Sequence, residues 1–177
     1  MKKLFIAVLF GLLVCGIAAA GDLDFHVGAG YHSSYFGNID GIPNYPDTLA
    51  SAKAMPLGIS AYAGIGFGMF SKLLNIGIEF SPSWDFNLDG YKMSNFALQG
   101  RAYVKLKFID LITAAVIGGY SINLAGSPDD PGSFAGNPLV GVRVSVAIVY
   151  AEYIMNLRSA PFDVAKHEIG VGFAIFR

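Results

Sequence analysis

A histidine and a serine two positions apart are the first candidates for catalytic chemistry in this sequence. His32 and Ser34 have the right types for proton transfer from a serine hydroxyl to an imidazole, which activates serine as a nucleophile. The sequence places no acid beside His32, so we expect a hydrogen-bonded polar pair rather than a catalytic one. The chain is therefore predicted not to be an enzyme.

Residue types that bind metals are present, but their spacing does not favour a metal site. Asp129 and Asp130 lie in a stretch rich in proline and glycine that lacks the spaced ligands of an EF-hand, so a solvated turn is the better interpretation. His26 and His167 lack the His-x-Glu or Glu-x-x-His spacing of metal sites. We expect neither a metal nor a cofactor.

Two-residue alternation of apolar and polar side chains is the dominant pattern around these candidates. In segment 74–86, apolar residues such as Ile76 alternate with polar residues such as Asn75 and Glu79. This alternation is typical of a β-strand with one apolar and one polar face. Eight segments follow it and are predicted strands: 23–36, 57–69, 74–86, 96–108, 111–124, 138–146, 149–158 and 165–176.

The connections between the predicted strands differ regularly in length. The first, third, fifth and seventh are longer and rich in Gly, Pro, Asn and Asp: 38–53, 87–90, 125–137 and 159–164. The others are short turns: Ser71-Lys72, Ile109-Asp110 and Ala147-Ile148. An even strand number with short turns at one end and longer loops at the other is typical of an outer-membrane barrel with both termini periplasmic.

Pairing across the short turns should keep each face of the sheet uniform. Residues opposite one another in an antiparallel hairpin point to the same side. If 71–72 is a two-residue turn, Met69 lies opposite Leu74, and the apolar faces of the two strands match. The hairpin parity is therefore consistent with a single apolar barrel surface.

Charged residues well within the strands are predicted to lie in the barrel interior. A turn at 147–148 places Arg143 opposite Glu152. We expect Glu152 to pair with Arg143, and Glu79 with Arg101, in an ion-pair lattice that fills the lumen. The predicted interior charge lattice comprises Glu79, Arg101, Lys105, Arg143 and Glu152.

Alternation alone does not separate a membrane barrel, apolar outside, from a soluble lipocalin-like barrel, apolar inside. Aromatic residues near both strand ends favour the membrane barrel, because interfacial girdles flank an aliphatic band. They fall toward the loop end at Tyr35, Trp84 and Tyr120, and toward the turn end at Phe67, Phe70, Phe108 and Phe173. A soluble ligand-binding barrel remains an alternative.

The first 20 residues have the pattern of a signal peptide, with Lys2 and Lys3 before an apolar run that ends in 18–20, all alanine. We expect one domain over 21–177 after cleavage. A retained anchoring helix and lipobox-type processing at Cys15 are alternatives. Removing the two lysines would leave 10 of the 12 basic residues against 13 acidic ones, a net charge of −3, so no nucleic-acid partner is expected. The single cysteine, Cys15, would also be lost.

In pattern, 21–177 resembles the small eight-stranded outer-membrane proteins of OmpA, OmpX and OmpW type. Segment 167–177 looks like the terminal strand read by the barrel-insertion machinery, although Arg177 follows Phe176 where the family usually ends on an aromatic residue. The resemblance implies an all-β, eight-stranded antiparallel up-and-down transmembrane β-barrel. It also implies the cell outer membrane as location, with its lipids and the insertion machinery as partners.

The expected function is a structural or surface-interaction role, with loops 38–53 and 125–137 presented to an extracellular partner. A narrow porin-like or hydrophobic-solute transport barrel is the main alternative. A lipid A-modifying enzyme is a weaker one: lipid A deacylases of this barrel type use a histidine, a serine and an acid, but carry that motif late in the chain.

Overall fold

A closed antiparallel barrel of eight strands makes up the described part of the chain. The computed structural model describes residues 22–36, 54–87, 92–124, 136–157 and 164–176. The strands are β1 (Asp22–Phe36), β2 (Ala54–Met69), β3 (Leu74–Asn87), β4 (Lys92–Ile109), β5 (Ile112–Asn123), β6 (Gly136–Val146), β7 (Val149–Leu157) and β8 (Val164–Phe176). Each strand pairs with the next, and β8 pairs with β1. The predicted all-β, eight-stranded up-and-down barrel is confirmed. Within these ranges no helix is long and apolar enough to cross a membrane.

Several predicted regions lie outside the described residues. They are the signal segment 1–20 with Cys15, the loop 38–53, most of the loop 125–137 including Asp129 and Asp130, and Arg177. The barrel has two distinct ends. The turn end carries the short β2–β3, β4–β5 and β6–β7 connections, and the loop end carries the other connections. The first residue of β1, Asp22, pairs with Gly68, and Phe173 near the end of β8 pairs with Val149. The start of the first strand and the end of the last strand therefore both lie at the turn end.

The β2–β3 connection is a tight turn, as the hairpin parity requires. The amide of Leu73 donates to the carbonyl oxygen of Phe70 at 3.2 Å. Ser71 and Lys72 between them have φ values of 57° and 67°. Two positive φ values at the central positions are the mark of a type I′ turn, whose twist matches that of the flanking strands. The predicted pairing of Met69 with Leu74 is confirmed.

The β4–β5 turn differs by one residue from its predicted position. Ile109 belongs to β4 and pairs with Ile112, so the turn is Asp110-Leu111 rather than Ile109-Asp110. The physical reason is a register shift between Lys107 and Ile109, which adds an unpaired residue to β4. Simple two-residue alternation does not reveal such a bulge.

Apolar side chains face outward along the described strands, and the inward faces carry mostly polar side chains. A small apolar cluster of Tyr103, Ile117, Leu139 and Ile154 is also buried in the interior. On β3, Ile78 is 63% exposed, whereas the neighbouring Glu79 is 4% exposed. Tyrosines add bulk to the interior, with Tyr62 packed edge-on against Tyr150 at 5.4 Å between ring centroids. A Cβ at Gly64 would meet the ring of His26, so the bare glycine gives the imidazole its space. The barrel therefore has a polar inside and an apolar surface.

Candidate functional site

Four charged side chains from four strands meet in the middle of the lumen. Glu79 is on β3, Arg101 on β4, Arg143 on β6 and Glu152 on β7. Arg143 donates from Nη1 and Nη2 to the two Glu79 oxygens at 2.9 and 2.8 Å. Arg101 Nη1 donates to Glu79 Oε1 at 3.2 Å and to both Glu152 oxygens at 3.1 Å. We call this group the central lattice.

Arg143 links the two acids of the central lattice. Its Nε donates to Glu152 Oε2 at 2.7 Å, and its Nη2 also contacts that oxygen. Two guanidinium groups thus face two carboxylates, and the formal charges cancel. Buried ion pairs are tolerated only when hydrogen bonds compensate the lost hydration. Here each arginine contacts both acids, and the Glu79 side chain has no exposed surface.

An aromatic ring and an imidazole that were not predicted to belong to the charge lattice also contact it. The guanidinium of Arg143 lies 3.9 Å above the ring centre of Tyr62, a cation–π geometry. His26 Nε2 lies 3.2 Å from Glu79 Oε2. His26 is on β1 and Glu79 on β3, so the contact joins strands that are not paired. The sequence indicated only that His26 and Glu79 lie on the inward faces of their strands and could reach the lumen.

A second group of buried polar side chains lies toward the loop end. Ser34 Oγ donates to Asp85 Oδ1 at 2.7 Å, and His32 Nε2 lies 2.8 Å from the same oxygen. Lys166 Nζ donates to Asp85 Oδ2 at 2.8 Å and lies 2.9 Å from Glu168 Oε1. We call these five residues the mouth cluster. The only indication of this cluster in the sequence was that its members lie on the inward faces of their strands.

The mouth cluster supplies the acid that the sequence did not place beside His32. Its geometry differs from that of a catalytic triad, in which serine donates to histidine and histidine to the acid. Here Ser34 donates to Asp85 itself, so His32 is not arranged as the base for the serine hydroxyl. Nδ1 of His32 is buried, and among the described residues it has no hydrogen-bond partner.

Hydrogen bonds connect the two groups into one network. Gln99 Nε2 donates to the Glu168 oxygens at 3.1 and 3.3 Å. Its Oε1 accepts hydrogen bonds from Arg101 Nε at 2.8 Å and from Nη2 at 2.6 Å. Asn156 Nδ2 also donates to Glu168, at 3.0 Å. Hydrogen bonds between side chains therefore run without a break from the central lattice to the mouth cluster.

Lys105 lies below the central lattice, nearer the turn end. Its Nζ donates to Asp24 Oδ2 at 2.9 Å, and Asn75 Nδ2 donates to the same oxygen at 2.9 Å. Tyr103 Oη donates to Asn75 Oδ1 at 3.0 Å. Lys105, Asp24 and Asn75 border an open cavity of about 270 Å³ at the turn end, which Lys72 also lines. Among the predicted lattice residues, Lys105 is thus set apart from the other four.

The outer surface carries aromatic side chains near both ends. The loop-end aromatic belt comprises Tyr35, Trp84 and Tyr120, and exposed phenylalanines at the turn end are Phe70, Phe108 and Phe173. A closed antiparallel barrel with an apolar band between aromatic girdles and a polar interior is the architecture of the outer-membrane β-barrel class.

Several solved structures of eight-stranded membrane barrels are similar to this chain. Neisserial surface protein A is similar at 15% identity, covering 86% of this chain and 96% of its own, with a TM-score of 0.49. The outer-membrane protein Ail of Yersinia pestis, in a phospholipid bilayer nanodisc, is similar at 10% identity, covering 87% and 100%, with a TM-score of 0.46. A designed transmembrane β-barrel is similar at 14% identity, covering 88% and 97%, with a TM-score of 0.42. No protein-family model and no curated protein matches the sequence.

Proposed function

We propose that this chain is an integral outer-membrane protein with a structural or surface-interaction role and a closed lumen. The observation that carries the proposal is the division between an apolar outer surface and an ion-paired interior. Water is a poor solvent for the apolar outer surface, and lipid is a poor solvent for the ion-paired interior. A barrel that crosses the bilayer satisfies both, because its backbone hydrogen bonds close on themselves.

The exposed apolar surface supports the membrane assignment. Phe25, Phe80 and Val116 are each more than half exposed, and they lie on different strands around the barrel. Soluble monomers rarely expose continuous apolar patches larger than about 300–600 Å². Each apolar Å² removed from water contributes about 25 cal/mol, so lipid contact around the barrel favours insertion. A soluble lipocalin-like barrel would bury these side chains instead.

The central lattice supports a non-conducting lumen. An eight-stranded barrel is only wide enough for its own interior side chains or one small ligand. Four strands contribute charged groups to one level of this lumen, and Gln99 bonds them to the mouth cluster above. Passage of a hydrated ion would require several buried hydrogen bonds to break together.

We further propose periplasmic termini and a surface-facing loop end. The short turns and the ends of β1 and β8 share one end of the barrel, which supports this orientation. Loops 38–53 and 125–137 would then meet an extracellular partner. Residues 1–20 would be a removed signal peptide, and the last strand would be read by the insertion machinery. Neither an enzymatic activity, a cofactor nor a nucleic-acid partner is part of the proposal.

Gel mobility tests the membrane assignment. A membrane barrel in detergent stays folded in unboiled SDS samples and shifts on boiling, and it fractionates with membranes. A protein that shows neither behaviour is not a membrane barrel. Planar bilayers then test the closed lumen, for which we expect no single-channel currents. Discrete currents would instead identify the narrow transport barrel.

A further inference from the structure

We infer that His167, held by Tyr153, binds the phosphate group of a lipid headgroup in the membrane leaflet at the loop end. The inference rests on the proposed membrane function. It concerns the outer surface and none of the interior groups.

His167 is exceptional on the outer face of the barrel. Among the strand residues whose side chains are described, the other outward positions are uncharged and carry no Asp, Glu, Lys or Arg. His167 lies on β8 between Lys166 and Glu168, both of which point into the lumen and are buried. The two-residue period of the strand therefore directs the imidazole outward.

A neighbouring tyrosine fixes the orientation of this imidazole. Tyr153 on β7 also faces outward, and its Oη lies 2.7 Å from His167 Nδ1. The two rings are stacked, with centroids 6.0 Å apart and planes 22° from parallel. A tyrosine hydroxyl that donates to Nδ1 leaves the ring proton on Nε2. We assign this tautomer to His167, because within the described part of the chain Nε2 has no hydrogen-bond partner and can present its N–H to the surroundings.

The height of His167 along the barrel indicates what it meets. His167 pairs with Tyr35, which is 46% exposed and belongs to the loop-end aromatic belt. Aromatic belts mark the level of the lipid headgroups. In the hydrocarbon layer an unpaired N–H would be costly, but at the headgroup level anionic phosphate oxygens are available acceptors. The phosphate is the headgroup element common to the phospholipids and to phosphorylated glycolipids.

Native mass spectrometry of the refolded full chain tests this site. Phosphatidic acid and diacylglycerol with identical acyl chains serve as probes, because they differ only in the phosphate. One charge-assisted hydrogen bond predicts that the wild type retains phosphatidic acid about tenfold more tightly. The H167F variant keeps an aromatic ring in the belt and should lose this preference. Y153F should reduce it, because the imidazole is no longer held, while the matched belt variant Y120F should keep it.

Two outcomes would overturn the inference: no preference for phosphatidic acid in the wild type, or an undiminished preference in H167F. Millimolar inorganic phosphate should not displace the lipid; displacement would make the site one for a free anion and refute the lipid assignment. A solid-state NMR experiment on ¹⁵N-labelled wild type in phosphatidic acid nanodiscs needs no variant. The inference requires that ³¹P dephases the histidine ¹⁵Nε2 signal. Lack of membrane partitioning would refute the proposed function as well, whereas partitioning without a phosphate preference refutes this inference alone.

Discussion

Replacing Glu79 with glutamine should destabilise the barrel more than the same change at Glu152. Both arginines of the central lattice and His26 contact Glu79, whose side chain is 0% exposed, whereas that of Glu152 is 9% exposed. Glutamine has nearly the same shape as glutamate, so packing is retained and the lost charge is the main change. E79Q leaves two guanidinium groups facing one carboxylate.

The expected magnitude follows from this charge imbalance. Removing one partner of a buried ion pair typically costs about 3–5 kcal/mol, because the other charge remains buried. Glutamine keeps one acceptor oxygen, and Arg143 keeps its hydrogen bonds to Glu152, so the lower end of that range, about 3 kcal/mol, applies. With a urea m-value of about 2 kcal/mol/M, the unfolding midpoint falls by about 1.5 M. The partly exposed Glu152 should give a smaller decrease.

Urea unfolding in detergent micelles measures this effect. Trp84 is the single tryptophan of the chain and lies on the outer surface, so its fluorescence reports transfer from micelle to water. The double variant E79Q/R143M removes the unpaired guanidinium as well and should recover part of the loss, a non-additive result. The reasoning is refuted if E79Q unfolds at the wild-type midpoint, or if the two single changes are strictly additive.

Three further predictions concern other levels of the barrel. K166M should lower the urea midpoint markedly, because two buried carboxylates lose their shared ammonium, while K107M at an exposed pair should leave it unchanged. G64A should destabilise by about 1–3 kcal/mol, because a Cβ there meets a ring and a backbone oxygen, whereas G100A adds a methyl group to open space and should unfold like wild type. The ammonium of Lys107, 2.7 Å away, lowers the pKa of the Asp110 carboxyl below its ordinary value, so an NMR titration should show that pKa rising in K107M. Any stability from this pair is present while Asp110 is ionised and is lost as the pH falls through its pKa.

The positions of the strands, and which residues share one face of a strand, were predictable from the local sequence pattern. Alternation is set by the backbone geometry of each strand, so Glu79 and Arg143 could be assigned to one face without knowledge of the fold. Turn chemistry also acts locally, which is why the pairing of Arg143 with Glu152 followed from the short turn at 147–148. The bulge in β4 between Lys107 and Ile109 was not predictable, because an unpaired residue in a strand does not change the types of residue that the strand contains.

Contacts across the lumen required the closed barrel. Lys166 and Asp85 are 81 residues apart and lie on β8 and β3, which are not paired. Whether two such side chains meet depends on strand number, tilt and accumulated register, and no local pattern encodes these. For the same reason Lys105 shared a face with Arg101 but lies nearer Asp24.

The sequence by itself determined an alternating chain of eight strands with one apolar and one polar face, because side-chain direction in a strand is a property of neighbouring residues. Only the tertiary structure decided which face is outside. Closure buries Glu79 and exposes Ile78, and a barrel of the same alternation could in principle close the other way. It also decided that His32 bonds to Asp85 and that His167 bonds to Tyr153, since each pair joins different strands at a common height of the barrel.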